Sequence, residues 1–152
     1  MDSATSEPTR RVSLRTRSEE DTREIGRRIG EALRPGDCLA LRGPMGAGKT
    51  VTAQGIVAGA GGGQDVRSPT FLLHSVYPGR VTVHHLDLFR LEPGVDLRTL
   101  GIDEALGDGA VVVEWPDRAD RTWFNGEVEL AIVSRSEREL RLTLPAGLAG
   151  DL

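Results

Sequence analysis

The sequence predicts an α/β domain built on a mixed sheet, and three observations carry that prediction. Residues 37–42 (Asp-Cys-Leu-Ala-Leu-Arg) form a short apolar run after the Pro35-Gly36 turn, as a buried strand does. A glycine-rich loop, Gly43–Thr50, then leads into a segment at 50–58 that can be helical. The second half changes pattern, with paired alternating runs separated by turn residues that read as hairpins. Early βαβ elements followed by hairpins imply parallel and antiparallel pairing in one sheet.

The elements follow in order. Residues 1–10 are polar and are expected to be a disordered tail. Val12 and Leu14 alternate with polar neighbours, the pattern of an edge strand. Ser18 is a helix cap, with Glu19, Glu20 and Asp21 in the first turn complementing the helix dipole. Ile25, Ile29, Ala32 and Leu33 then fall on one helical face. In the 50–58 helix, Val51, Thr52 and Gly55 weaken the propensity, and Gly59–Gly63 ends it as a linker.

Phe71–Tyr77 and Val81–Leu86 flank Pro78-Gly79-Arg80 and predict a β-hairpin. Val95–Leu106 reads as irregular to helical. Ala110–Val113 is a continuous apolar strand ending on Glu114. Val128, Leu130 and Ile132, a turn at Ser134–Glu137, and Leu140, Leu142 and Leu144 make a C-terminal hairpin. Residues 145–152 are expected to form a flexible tail, leaving one domain over 11–144 without repeat or internal linker.

Composition narrows the function classes. A chain of 152 residues is one domain, long enough to bury about two-thirds of its unfolded surface. The net charge of −4 shows none of the basic surplus of an independent nucleic-acid binder. The single Cys38 excludes an internal disulfide and suits a reducing compartment. Residues 1–11 lack the apolar core of a signal peptide, and no apolar stretch approaches membrane-spanning length. A soluble cytoplasmic protein that does not engage a membrane is expected.

The loop carries the chemistry. Gly43-Pro-Met-Gly-Ala-Gly-Lys-Thr50 fits G-x-x-x-x-G-K-[ST], whose backbone N–H groups converge on phosphate oxygens where a Cβ would obstruct them. Lys49 is the only lysine; the other eighteen of the 19 Lys and Arg residues are arginine. It stands where a compact point charge must reach the β- and γ-phosphates. The fold class therefore sharpens to a P-loop NTPase-like three-layer α/β domain with a mixed central sheet and a C-terminal β-hairpin.

Such a loop needs a metal site and a group that positions the nucleophile. Thr50 supplies the hydroxyl expected to ligate Mg²⁺. Glu114, at the end of Val-Val-Val-Glu, is the first candidate for the strand-end acid, and Asp87, ending Val-His-His-Leu-Asp, is the second. One would ligate metal and the other position water, and the sequence does not say which. Ser68-Pro69-Thr70 precedes a strand where a γ-phosphate-sensing loop belongs, with the Thr70 hydroxyl able to reach Mg²⁺ or phosphate. Trp115 either packs over the site or fills the core. His74, His84, His85 and Cys38 lack metal-ligand spacing, and adjacent His84 and His85 point to opposite faces of a strand. Neither Asn-Lys-x-Asp nor Asp-x-x-Gly occurs, so guanine recognition of the Ras type is excluded and adenine is favoured. The chain is also short for an assembly ATPase with a helical lid.

Taken together, these residues resemble the TsaE family, the ATPase component of bacterial threonylcarbamoyladenosine biosynthesis on tRNA. The likeness rests on Gly43–Thr50, Ser68-Pro69-Thr70-Phe71, His85-Leu86-Asp87-Leu88-Phe89-Arg90, Gly101-Ile102-Asp103-Glu104 and Glu114-Trp115-Pro116. Met45 stands where the family usually has Leu, and Phe89 where it usually has Tyr. The resemblance implies ATP and Mg²⁺ at a loop formed by Met45, Gly46, Ala47, Gly48, Lys49 and Thr50, with Glu114 and Asp87 around metal and γ-phosphate. It implies Thr70 in a switch-like loop, Glu19 and Arg138 as nucleotide contacts from outside the loop, and Trp115 as a neighbour of the site. It also implies a weak ATPase that docks on the transferase TsaD and its partner TsaB, resetting that complex between turnovers and meeting tRNA only indirectly. Two other readings remain: a small-molecule kinase, for which no dense Arg lid is visible, and a nucleotide-dependent switch with negligible turnover.

Overall fold

The structure is a computed structural model and describes residues 7–63, 74–150 and 152. Its described strands are β1 (Thr9–Thr16), β2 (Cys38–Arg42), β3 (His74–Tyr77), β4 (Thr82–Asp87), β5 (Gly109–Glu114), β6 (Gly126–Ile132) and β7 (Arg138–Pro145). They form one seven-stranded sheet in the order β1-β7-β6-β2-β5-β4-β3. The centre is parallel, with β2 between β5 and β6 and β4 beside β5. Both margins are antiparallel, from the hairpins β6/β7 and β3/β4 and the edge strand β1 on β7. The mixed sheet of the sequence reading is thus the observed one.

Helices α1 (Glu19–Ala32) and α2 (Lys49–Gly59) cover one face; α3 (Ile102–Asp108) and a 3₁₀ turn at Leu97–Leu100 cover the other over β2, β5 and β4. Alternation assigns the faces. Leu39, Leu41, Val83, Val112, Val128 and Leu130 pack under α1 and α2, whereas Leu86, Val111 and Val113 pack with Leu97 and Ile102. Ser18 caps α1 by accepting from the Asp21 N–H at 3.1 Å. The buried Thr16 and Thr22 hydroxyls, 2.7 Å apart, tie the end of β1 to the first turns of that helix.

The two helices touch backbone to backbone. A Cβ built on Gly26 or Gly30 of α1 would lie 2.4 Å from the Thr52 oxygen or 2.1 Å from the Ile56 oxygen. Built on Gly55 or Gly59 of α2, it would lie 2.1 Å from the Arg23 oxygen or 2.0 Å from the Arg27 oxygen. Gly55, which weakens the isolated helix, is therefore required by the pair. The close approach places the start of α1 against the loop that begins α2.

Three expectations change. Thr9 and Arg10, expected within the polar tail, belong to β1, where Thr9 pairs with Pro145. The end of the chain is not a free tail: Ala146–Ala149 form a short helix, α4, with Leu148 and Ala149 buried against the main core. The physical reason is mutual. The Ala146 N–H donates to the Pro8 carbonyl at 2.8 Å and the Gly147 N–H to Glu7 Oε2 at 2.9 Å, so each segment supplies partners the other lacks. Ile132, placed inward by alternation, is 49% exposed because β6 runs past the edge of the core there. Ser68-Pro69-Thr70, and residues 71–73 of the predicted hairpin, lie outside the described residues.

Candidate functional site

The loop between β2 and α2 turns on glycines whose backbone lies in the left-handed region. Gly43, Gly46 and Gly48 have φ of 151°, 79° and 108°, and Gly48 is the residue from which α2 springs. A side chain at Gly43 would meet the Leu130 carbonyl at 2.8 Å. Ala47 is buried, whereas Met45 is 67% exposed at the rim.

Lys49, the first residue of α2, is only 6% exposed. Its Nζ donates to the Gly43 carbonyl at 2.5 Å and lies 3.6 Å from the centroid of the Trp115 ring. Burial pulls its pKa below the usual lysine value, while the negative charges of Glu114 and Asp87 work in the opposite direction. Trp115 takes φ 58°, the one left-handed backbone among the described non-glycine residues. That conformation follows the end of β5 and turns the ring over the loop. The Phe89 ring packs against it with centroids 4.9 Å apart. Phe89 thus fills its place by ring packing, without the hydroxyl of the usual tyrosine.

Asp87 and Glu114 are register partners at the ends of parallel strands β4 and β5. By alternation both side chains project on the face that carries α2. Glu114 is 3% exposed, and its Oε2 lies 2.7 Å from Nε2 of fully buried His85. Asp87 Oδ1 accepts the Phe89 N–H at 3.0 Å. Burial raises the Asp87 pKa above the usual carboxylate value; that N–H bond opposes the rise, and the Glu114 charge adds to it.

Two clefts meet at Gly46 and Gly48. One, of about 400 Å³, is lined by Lys49, Thr50, Asp87, Glu114, Phe89 and Trp115. The other, of about 310 Å³, lies between Ser18, Glu19 and Thr22 at the start of α1 and Arg135, Ser136 and Arg138 at the β6–β7 turn and the start of β7. Arg138 bridges to the loop by donating to the Gly46 carbonyl at 3.1 Å. One groove therefore collects Glu19, Met45–Thr50, Asp87, Glu114, Trp115 and Arg138, whereas Thr70 lies outside the described residues.

Among the described residues no group of three or more His, Cys, Asp and Glu is arranged to hold a metal by itself. Two neighbouring carboxylates and the Thr50 hydroxyl fit Mg²⁺ differently, as a hard-oxygen donor set that leaves positions for phosphate and water. Burial is the main cause of the raised Asp87 pKa and the Glu114 charge adds to it; a divalent cation between the two carboxylates would relieve that added repulsion.

With this geometry in place, comparison with known proteins decides the lineage. The family model described as "Threonylcarbamoyl adenosine biosynthesis protein TsaE" matches residues 16–141. The chain belongs to the TsaE family. Curated relatives named tRNA threonylcarbamoyladenosine biosynthesis protein TsaE include one from Treponema pallidum, 34% identical over 82% of this chain and 95% of that protein. The relative from Streptomyces coelicolor is 41% identical over 85% of this chain and 83% of its own. The crystal structure of Bacillus subtilis YdiB superposes with a TM-score of 0.72 at 26% identity, covering 93% of this chain and 90% of that one. The fold is that of a P-loop NTPase-like TsaE protein, and its family belongs to tRNA threonylcarbamoyladenosine biosynthesis.

Within this TsaE-family site, one residue escaped the sequence reading as a functional group. His85 belongs to the motif that carries the family resemblance and is rejected as a zinc ligand, with no role of its own assigned, yet it reaches Glu114 across the strand pair. The signal was present: His85 and Asp87 share strand parity, so the face that carries the acid also carries the imidazole. His84 points the other way and bonds instead to His74 at 2.9 Å and Asp108 at 2.7 Å.

Proposed function

We propose that the chain binds and hydrolyses ATP with Mg²⁺, and supports tRNA threonylcarbamoyladenosine formation by acting on a transferase complex of TsaD and TsaB type. The observation that carries this reading is the meeting of the phosphate loop with the Asp87–Glu114 pair in one groove. Loop N–H groups and the start of α2 receive the phosphates, and Lys49 supplies the compact positive charge at the β- and γ-phosphates. Adenosine extends into the cleft between Glu19 and Arg138, where it is bordered by the α1 start and the β6–β7 turn.

Bound between Thr50, Asp87, Glu114 and the phosphates, Mg²⁺ would neutralise charge developing on the transferring group. Asp87 and Glu114 divide ligation and the orientation of the attacking water between them. Trp115 walls the phosphate end of the groove. Low intrinsic turnover is supported by the position of Lys49, which is engaged by Gly43 and Trp115. Net charge −4 supports a partner-mediated rather than direct encounter with tRNA, and no described helix is long and apolar enough to cross a membrane.

The test is ATP hydrolysis by the purified chain with Mg²⁺, alone and with TsaD and TsaB from the same source. Stimulation by the partners that disappears in Glu114→Ala is expected. A rate unchanged by the partners overturns the proposal, and phosphoryl transfer to a metabolite rather than water would make the protein a kinase.

A further inference from the structure

We infer that His85 is the positioning residue for Glu114, holding that carboxylate where it serves the metal-bearing end of the groove. This inference rests on the proposed Mg²⁺-nucleotide reading of the site.

His85 is 0% exposed and sits two residues before Asp87 on β4. Its register partner on β5 is Val112, two residues before Glu114 on the same face, so the Glu114 side chain meets it diagonally across the strand pair. The 2.7 Å contact from Nε2 to Oε2 is buried at both ends. The other ring nitrogen, Nδ1, is buried and has no hydrogen-bond partner among the described residues. That asymmetry assigns the hydrogen. With Nε2 carrying it, the carboxylate is satisfied and only an acceptor is left unmatched. Any other arrangement would bury an unmatched N–H or set two acceptors against each other.

An imidazole spent on one hydrogen bond in a fully packed setting has a fixed direction, and it passes that direction to its partner. Glutamate has more torsional freedom than aspartate, so the acid on β5 needs an external constraint. Asp87 takes its own from the Phe89 backbone N–H. The two acids at the metal end are thus each oriented by a separate donor, one from the turn after β4 and one from within it.

The test compares three substitutions for the affinity of a non-hydrolysable ATP analogue, measured calorimetrically in Mg²⁺ and again in EDTA. His85→Gln keeps an amide N–H near the position of Nε2. His85→Met fills the space without a donor. His85→Asn is polar but too short to reach. The Mg²⁺-dependent gain in affinity is expected to fall about 10- to 100-fold in His85→Met and His85→Asn. It should stay within about three-fold of wild type in His85→Gln, and EDTA affinities should be unchanged in all three. Should one donor-lacking variant fail to fold, the other still decides beside His85→Gln, and should His85→Gln fail, the wild type serves as the donor-bearing reference.

Full Mg²⁺ gain in His85→Met or His85→Asn overturns the inference, as does a loss in His85→Gln equal to theirs. Glu114→Gln separates this from the underlying reading. If it loses the gain while the His85 variants keep it, only the inference falls. If Glu114→Gln also keeps the gain, Glu114 is not at the metal and both fall.

Discussion

The Lys49 ammonium lies 3.6 Å from the centroid of the Trp115 ring while donating to the Gly43 carbonyl. A phosphate that recruits Lys49 competes with the ring for its ammonium, so the indole changes surroundings when the groove fills. The chain has two tryptophans, and Trp123 lies on a separate 3₁₀ turn. Intrinsic fluorescence should therefore change on ATP addition in Trp123→Phe and stay flat in Trp115→Phe. The reverse pattern would dissociate Trp115 from the phosphate site.

Removing the ammonium itself should be costlier. Lys49→Ala deletes a charged donor, and a loss of about 1.5–3 kcal/mol corresponds to roughly 10- to 150-fold weaker nucleotide binding. Calorimetric titration checks this; affinity and turnover close to wild type would remove Lys49 from the site.

Asp87 supplies a pH argument whose sign can be worked out. Its folded pKa is raised above the unfolded 3.8, chiefly by burial, so the folded protein holds the proton more tightly than the unfolded chain. Stability from this group is present at low pH and is lost as pH rises through the folded pKa. At neutral pH the ionised carboxylate is therefore a cost. Asp87→Asn, which can still accept the Phe89 N–H, should raise the melting temperature of the nucleotide-free protein by about 2–4 °C while lowering hydrolysis. The thermal gain should vanish when both proteins are compared below about pH 4.

The helix pair yields a contrast between two glycines. Gly30→Ala would push a methyl to 2.1 Å from the Ile56 oxygen, whereas a Cβ on Gly107 in α3 meets nothing within 4 Å. Gly30→Ala should destabilise by about 1–3 kcal/mol or more, because backbone cannot yield as a side chain can. Gly107→Ala should be neutral or stabilising by up to about 1 kcal/mol. Denaturant melts of the two variants check both signs.

Much of this fold was legible because its signals are local. The loop glycines, Lys49 and Thr50 are contiguous, and the acids at 87 and 114 each end an apolar run that predicts its own strand. What escaped depends on register or on distant partners. The His85–Glu114 bond needs β4 and β5 aligned, and the Arg138–Gly46 bond spans 92 residues. The four helix glycines look like defects until two backbones are brought together. The segments at 7–9 and 145–147 each look structureless because each holds the other's hydrogen-bond partners.

That last pairing bears on how the protein can be handled. β1 runs eight residues from Thr9, beside Pro145, to Thr16, just before Ser18 and Glu19 at the groove. At about 3.3 Å per residue, the stitched segments sit roughly 26 Å from the groove. A fluorophore or affinity handle attached at either segment would leave the groove and its surroundings unobstructed. A short peptide bridge between the two segments would close the chain into a ring, allowing it to be reopened elsewhere on the surface without disturbing the order of the sheet.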